Sequence, residues 1–200
     1  MSLEKLVHQR DIFSTLSEES GKIIYPDRRL PGFVFKNTFD KYLPMEYEYV
    51  NRPHFPALLK ELSDQYNDER VNYVTIEPDP VKYYLDVHGF YGMASFRPFE
   101  LAEAYFPTMS RGNRADSFLH RGGDVGLFWG TSLAWAVYCD RISWEIAILA
   151  INGDFSKSES INITSLSPVA LSEYILSQYS QSPSVAREFV DKFLANYNSR

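Results

Sequence analysis

The sequence predicts a single α+β domain, with a mostly antiparallel sheet packed by N-terminal, central and C-terminal helices. The 200 residues fit one domain, which we place at 1–200. Apolar residues recur with helical spacing near both ends and in the middle of the chain. Between them lie nearly continuous apolar runs of strand length, joined by connections short enough for antiparallel pairing.

The first third of the chain alternates between helix and strand patterns. An amphipathic helix is expected over residues 3–17, with Gly21 marking its exit. Residues 47–50 predict a strand, because apolar and polar side chains alternate there. Pro56 opens a second helix, since the first helical turn tolerates a residue without an N–H. A strand follows at residues 71–77.

The middle of the chain is rich in strand-forming residues. Residues 83–87 and 93–96 predict two short strands, and Pro98 begins a short helix. The two segments 71–96 and 125–151 share an order of strand, short loop and glycines. A duplicated sheet unit is therefore one possible organisation.

The densest signal for a sheet lies between Val125 and Ile151. Residues 125–130, 132–138 and 144–151 are nearly continuous in apolar residues, which is typical of central strands buried on both faces. Cys139 to Ser143 is short enough to join the last two as a hairpin.

The C-terminal third predicts two helices. Ser167-Pro168 and Ser182-Pro183 each place a capping residue before a proline at the first helical position. One buried stripe is expected on the last helix, formed by Val185, Phe189, Phe193 and Tyr197.

Charge and composition restrict the classes of function. The formal net charge of −6 disfavours general binding of nucleic acid and suits a basic protein partner. Cys139 is the only cysteine, so no disulfide forms within the chain. The first residues lack an apolar signal region, and no run reaches the roughly 20 apolar residues that span a bilayer. We therefore expect a cytoplasmic protein without a membrane segment.

No motif for a cofactor or a metal is recognisable. The glycines at 122–123 lack the spacing of a phosphate-binding loop and are better explained as a helix stop. No two histidines have the spacing of a metal site, so no cofactor is expected. Asp116, His120 and Asp124 form the single mixed cluster, in which a metal or acid–base site is an alternative to ordinary surface polarity.

Other reactive side chains give no stronger indication of catalysis. Glu77, Asp79 and Asp86 can be imagined as paired carboxylates, but no spacing rule selects them. Cys139 is expected in an exposed turn beside Asp140, whose charge would raise the pKa of the thiol. An inert thiol is the better interpretation.

The segment from Trp135 to Ala147 is the most specific part of the sequence. It combines a tryptophan strand, an Asp-Arg turn and a following strand of Glu, Ile and Ala. Residues 118–151, which contain it, resemble part of a group of bacterial proteins of the toxin-immunity type. The resemblance implies binding to a protein partner and carries over no catalytic residue.

These observations favour a non-enzymatic domain that binds a protein partner. The resemblance and the acidic charge together suggest a basic toxin that the domain neutralises. Acidic and turn residues are the candidates for contact: Glu46, Glu48, Asp79, Asp140, Arg141 and Glu145. An enzyme, or a small-molecule or metal-binding domain whose site converges from distant segments, is the alternative. A structural subunit of a larger assembly is the third hypothesis.

Overall fold

A computed structural model of the protein describes residues 5–110, 119, 123–153 and 165–197. Its centre is a six-stranded sheet with the strand order β1-β6-β5-β4-β2-β3, in which every neighbouring pair is antiparallel. The strands are β1 (Lys41–Glu46), β2 (Val71–Glu77), β3 (Met93–Phe96), β4 (Val125–Gly130), β5 (Trp135–Asp140) and β6 (Ile146–Ile151). The predicted α+β class and antiparallel sheet are confirmed.

Helices cover the sheet. They are α1 (Arg10–Ile23), α2 (His54–Tyr66), α3 (Asp86–His88), α4 (Leu101–Met109), α5 (Pro168–Gln178) and α6 (Pro183–Tyr197). Shorter turns of 3₁₀-helix lie at Tyr47–Asn51 and Pro98–Glu100, and a π-helical turn lies at Pro80–Leu85. Among the helices of the described segments, none combines the length and apolarity needed to cross a membrane.

Both faces of the sheet are buried, as the continuous apolar runs predict. Trp135, Val137 and Cys139 of β5 point into one core, which α2 and α4 complete. Ala136 and Tyr138 point into the other core, which α1, α5 and α6 complete. The alternation along the strand divides its side chains between the two cores, and the helices therefore form a layer on each side.

The two edge strands are partly covered by other segments. Beside β3, the Val7 amide donates to the Met93 carbonyl at 3.1 Å, and the Ser95 amide donates to the Lys5 carbonyl at 3.0 Å. Beside β1, the Leu166 amide donates to the Pro44 carbonyl at 2.7 Å. Such cover matters because an open edge offers unpaired backbone groups to other chains.

The N-terminal helix is displaced from its predicted position. The segment that contains Leu6 and Val7 pairs with the sheet edge instead, and helix α1 begins at Arg10. Gly21 lies inside α1 rather than at its exit. Leu16 is buried on α1, as the helical spacing predicts. Leu6 and Val7, which fit the same spacing, lie along the sheet instead.

Two predicted strands are helical. Tyr47 and Val50 are both buried, and their separation of three residues matches the 3₁₀-helix that forms there. The predicted strand at residues 83–87 is wrong because Asp79 caps a helical turn. Its carboxylate accepts from the Val81 amide at 2.8 Å and the Lys82 amide at 2.9 Å.

The C-terminal helices begin where the Ser-Pro pairs predict. The Ser167 hydroxyl accepts from the Ala170 amide at 3.2 Å, which caps α5. On α6, Phe189, Phe193 and Tyr197 are buried, but Val185 is 49% exposed. A step of four residues rotates by more than one helical turn, so a stripe of such steps drifts away from the core over its length.

The hypothesis of a duplicated sheet unit involves two parts of this one sheet. Residues 71–96 supply β2 and β3, whereas residues 125–151 supply β4, β5 and β6. The duplication and the assignment of 1–200 to one domain remain predictions.

Candidate functional site

One row of paired residues brings together the ends of five strands. Glu46 of β1 lies opposite Ile146 of β6, which lies opposite Asp140 of β5. Asp140 in turn lies opposite Val125 of β4, which lies opposite Glu77 of β2. The antiparallel register therefore places three carboxylates along one end of the sheet, although they are far apart in the sequence.

The predicted contact residues lie at or near this end of the sheet, but they differ in exposure. Glu46, Glu48, Asp79 and Glu145 are exposed, and Arg141 is half-buried. Asp140 is fully buried. The Asp79 carboxylate caps the π-helical turn by accepting from two of its amides.

Three of the exposed carboxylates act electrostatically on one tyrosine of α5. Burial, and to a smaller extent the negative charges of Glu145, Glu46 and Glu48, together raise the pKa of Tyr174 to about 12. The Tyr174 hydroxyl donates to the Glu145 carbonyl at 3.0 Å. We use the term acidic face for Glu46, Glu48, Glu145 and Tyr174, together with Ile142 of the adjoining turn.

The acidic face has little internal neutralisation. Glu48 approaches Arg52 at 3.9 Å, but both side chains are more than 60% exposed. A pair of this kind contributes little in water. Glu46 and Glu145 make no ion pair with a residue in the described ranges. The face therefore keeps its negative charge available to a partner.

The turn between β5 and β6 is held from inside by Asp140. One oxygen of its carboxylate accepts from the Ser143 amide at 2.8 Å, and the other is buried without a hydrogen-bond partner in the described ranges. Burial raises the pKa of Asp140, while hydrogen bonds from Ser143 and Trp144 and the charge of Arg29 oppose the shift. Asp140 thus contributes the shape of the turn and offers no carboxylate to a partner.

Helices α5 and α6 support the same turn from outside. The Tyr179 hydroxyl donates to the Ser143 carbonyl, and Trp144 stacks on Phe189 with ring centroids 3.8 Å apart. Glu145 adopts the left-handed conformation with φ of 52°. Ile142, at the tip of the turn, is 60% exposed. The result is a supported turn that presents an apolar side chain beside the acidic residues.

Arg141 connects the ends of two neighbouring strands. Its guanidinium lies 2.8 Å from the Asp124 carboxylate, and its amide donates to the Asp124 carbonyl at 2.8 Å. Asp124 is thus engaged in an ion pair. Asp116 and His120, which complete the predicted metal or acid–base cluster, lie outside the described residues.

Of the remaining carboxylates considered for catalysis, Glu77 and Asp79 are engaged in structural contacts, and Asp86 is an exposed residue of α3. Glu77 is paired with Arg29 at 2.8 Å, and Asp79 is the helix cap described above. No group of three potential metal ligands occurs within the described ranges. Cys139 lies in β5, and its predicted position in an exposed turn is wrong. Burial raises the pKa of its thiol, and the charge of Asp140 raises it further, as expected.

The sequence does not identify Tyr174 of the acidic face or Tyr179, which supports the adjoining turn. Tyr174 and Tyr179 have ordinary positions in a helical pattern, and nothing in that pattern identifies the distant turn as their partner. The sequence gives a weak indication that Ile142 is exposed, because this aliphatic residue follows the charged pair Asp140-Arg141 in the turn of the hairpin.

The chain was compared with protein-family models, curated proteins and solved structures, and no match was found in any of the three comparisons.

Proposed function

We propose that the chain is a non-enzymatic protein-binding domain that masks a basic partner through the acidic face. The observation that carries the proposal is that Glu46, Glu48 and Glu145 are exposed at the same end of the sheet. The Glu145 carbonyl there accepts from both the Tyr174 hydroxyl and the amide of Tyr47, which lies between the two other glutamates. Opposite charges on two proteins accelerate encounter and select the partner. A basic surface would supply the counter-charges that the face lacks.

The apolar and aromatic groups of the face support a stable complex. Interfaces depend mainly on a few buried anchors, among which tyrosine is enriched. Ile142 and Tyr174 would lose water on contact, while the carboxylates around them would form the polar rim.

The hydrogen bonds that fix the turn also favour binding. Tyr174 holds the Glu145 carbonyl, and Tyr179 holds the Ser143 carbonyl. A surface that is already ordered loses less conformational freedom when a partner binds. The free protein is thereby prepared for contact.

The resemblance of residues 118–151 to bacterial proteins of the toxin-immunity type supports a toxin as the partner. A nuclease with a basic cleft would fit the charge of the acidic face, because such a cleft binds phosphates through lysine and arginine. In this proposal the domain neutralises the toxin by covering the cleft.

The test uses the protein as a bait for lysate of its own source organism at physiological salt. A variant with Glu46→Lys, Glu48→Lys and Glu145→Lys reverses the charge of the face. The control variant, Glu69→Lys, Glu103→Lys and Asp191→Lys, reverses three other exposed charges and has the same net charge.

We expect one basic protein to be retained in equal amount by the wild type and the control, and to be lost from the face variant. Co-expression with the wild type should then suppress the activity of that protein. Equal retention by both variants would contradict the choice of face, and full activity in the complex would contradict neutralisation.

A further inference from the structure

A cleft lies beside helix α1, away from the acidic face. It lies between the C-terminal half of α1 and strand β2, with Pro26 and Pro80 at its margin. Its volume is about 190 Å³, and it is partly open to solvent. It is separate from the residues of the acidic face.

Gly21 of α1 leaves this cleft open. A Cβ atom at this position would meet no other atom within 4 Å. The backbone does not require glycine either, because Gly21 lies within a regular helix and lacks a positive φ. Glycine is a poor helix former, so neither helix formation nor close packing explains it. What its missing side chain provides is space in the cleft.

The lining indicates an uncharged ligand. Ile24, Val74 and Met93 contribute apolar surface, and none of the described residues that line the cleft is charged. An ion would lose its hydration there without an opposite charge to replace it. Ser17 and Ser20 also line the cleft and supply hydroxyl groups.

Of the two serines, Ser17 is the better contact for a polar group. The Ser20 hydroxyl donates to the Ser17 carbonyl at 3.0 Å. The Ser17 hydroxyl makes no hydrogen bond with another residue in the described ranges. A ligand with one hydroxyl group would therefore find the Ser17 hydroxyl available among lining residues that are mostly apolar.

The volume limits the ligand to one ring. Apolar cavities of about 150 Å³ accept benzene, whereas sites for drug-sized ligands measure roughly 300–1,000 Å³. A ring with one or two small substituents matches the volume of the cleft, and a nucleotide or a peptide does not.

We propose that this cleft binds a small, uncharged compound of one ring with a hydroxyl group, such as a phenol. The ring would lie against Val74 and Met93 in the space beside Gly21, and the hydroxyl group would contact Ser17. This site is independent of the protein partner proposed above.

The test measures binding of p-cresol to the full chain by isothermal titration and by chemical shifts of the backbone amides. A dissociation constant of about 0.1–1 mM is expected for so small a ligand. The largest shifts should occur in α1 and β2. Benzoate, which has a similar ring but a negative charge, should bind at least about tenfold more weakly.

Gly21→Leu fills the cleft with a good helix former, so we expect a folded protein whose affinity for p-cresol falls at least about tenfold. Thr15→Leu adds the same side chain at an exposed position of α1 and should bind like the wild type. Gly21→Ala serves as a milder variant, with an intermediate loss, if the leucine disturbs folding. The absence of p-cresol binding to the wild type, equal binding by the glycine variants, or equal binding of benzoate would overturn the proposal.

Discussion

Asp140 and Glu145 lie five positions apart in the same hairpin, and their carboxylates have different surroundings. Asp140 is fully buried and shapes the turn, whereas Glu145 is exposed and carries charge on the acidic face. Asp140 ends a central strand that pairs with β4 on one side and β6 on the other, whereas Glu145 lies in the turn before β6. A charged residue in a sequence therefore indicates a surface only where the fold leaves it in water.

The buried carboxylate of Asp140 should make stability depend on pH. Its pKa is raised in the folded protein, chiefly by burial. The folded state therefore holds the proton more tightly than the unfolded state, whose aspartate pKa is about 4. The free energy of unfolding contributed by this group falls as the pH rises from that value to the raised pKa, and is constant above it.

Asp140→Asn should remove this dependence, because asparagine keeps an oxygen for the Ser143 amide but does not ionise. In urea unfolding at a series of pH values, the stability of the variant relative to the wild type should increase with pH across that window. Asp191→Asn, on the exposed surface of α6, controls for the change in net charge. A difference between Asp140→Asn and the wild type that does not vary with pH would contradict the assignment.

The left-handed backbone at Glu145 gives a second prediction for a single residue. With φ of 52°, this position costs an L-residue roughly 1 kcal/mol more than glycine. Glu145→Gly should therefore be more stable than Glu145→Ala by about 1 kcal/mol in chemical denaturation, although both remove the same charge. At Glu46, where φ is −61°, glycine should be the less stable of the two. The same order at both positions would argue against backbone strain at Glu145.

At the scale of elements, the strands with continuous apolar sequence were the most predictable. The segments that became β4, β5 and β6 were identified because burial on both faces removes polar residues from a strand. The Ser-Pro starts of α5 and α6 were equally clear, since capping and proline chemistry are local. Both signals depend on neighbours in the sequence alone.

The wrong assignments arose where local and distant contacts compete. Tyr47 and Val50 satisfied a strand pattern, but both side chains reach the core through a 3₁₀-helix. Leu6 and Val7 match a helical pattern, yet they form an extended segment that hydrogen-bonds to the edge of β3. A sequence does not show which edge will need cover until the strand order is known.

The acidic residues of the candidate site are visible in the sequence, whereas the residues that support them are not. Glu46, Glu48 and Glu145 are exposed at the same end of the sheet, and their role in binding stays a prediction. The register that joins β1 to β6 connects residues at least 100 positions apart. Tyr174 and Gly21 were missed because a helical tyrosine and a helical glycine have no distinguishing spacing.

The layered arrangement of the whole molecule explains where recognition can occur. Helices cover both faces of the sheet, so the sheet's own residues reach solvent mainly at the ends of strands. The acidic face lies at one such end. The α1 cleft lies between β2 and the part of α1 that contains Gly21. The edges need separate protection, because they carry backbone groups that other chains can pair with.

The cover over β3 should protect the molecule from association. Val7→Pro removes the amide that donates to the Met93 carbonyl, and Val7→Ala removes more of the buried side chain but keeps that amide. If the hydrogen bond matters, Val7→Pro should lose about 1 kcal/mol more free energy of unfolding than Val7→Ala, despite its larger side chain. It should also form concentration-dependent oligomers in size-exclusion chromatography, since the freed edge accepts another strand. Equal stability and a monomeric elution of both variants would contradict this role. Residues 5–7 would then not be needed to keep the β3 edge from pairing with a second chain.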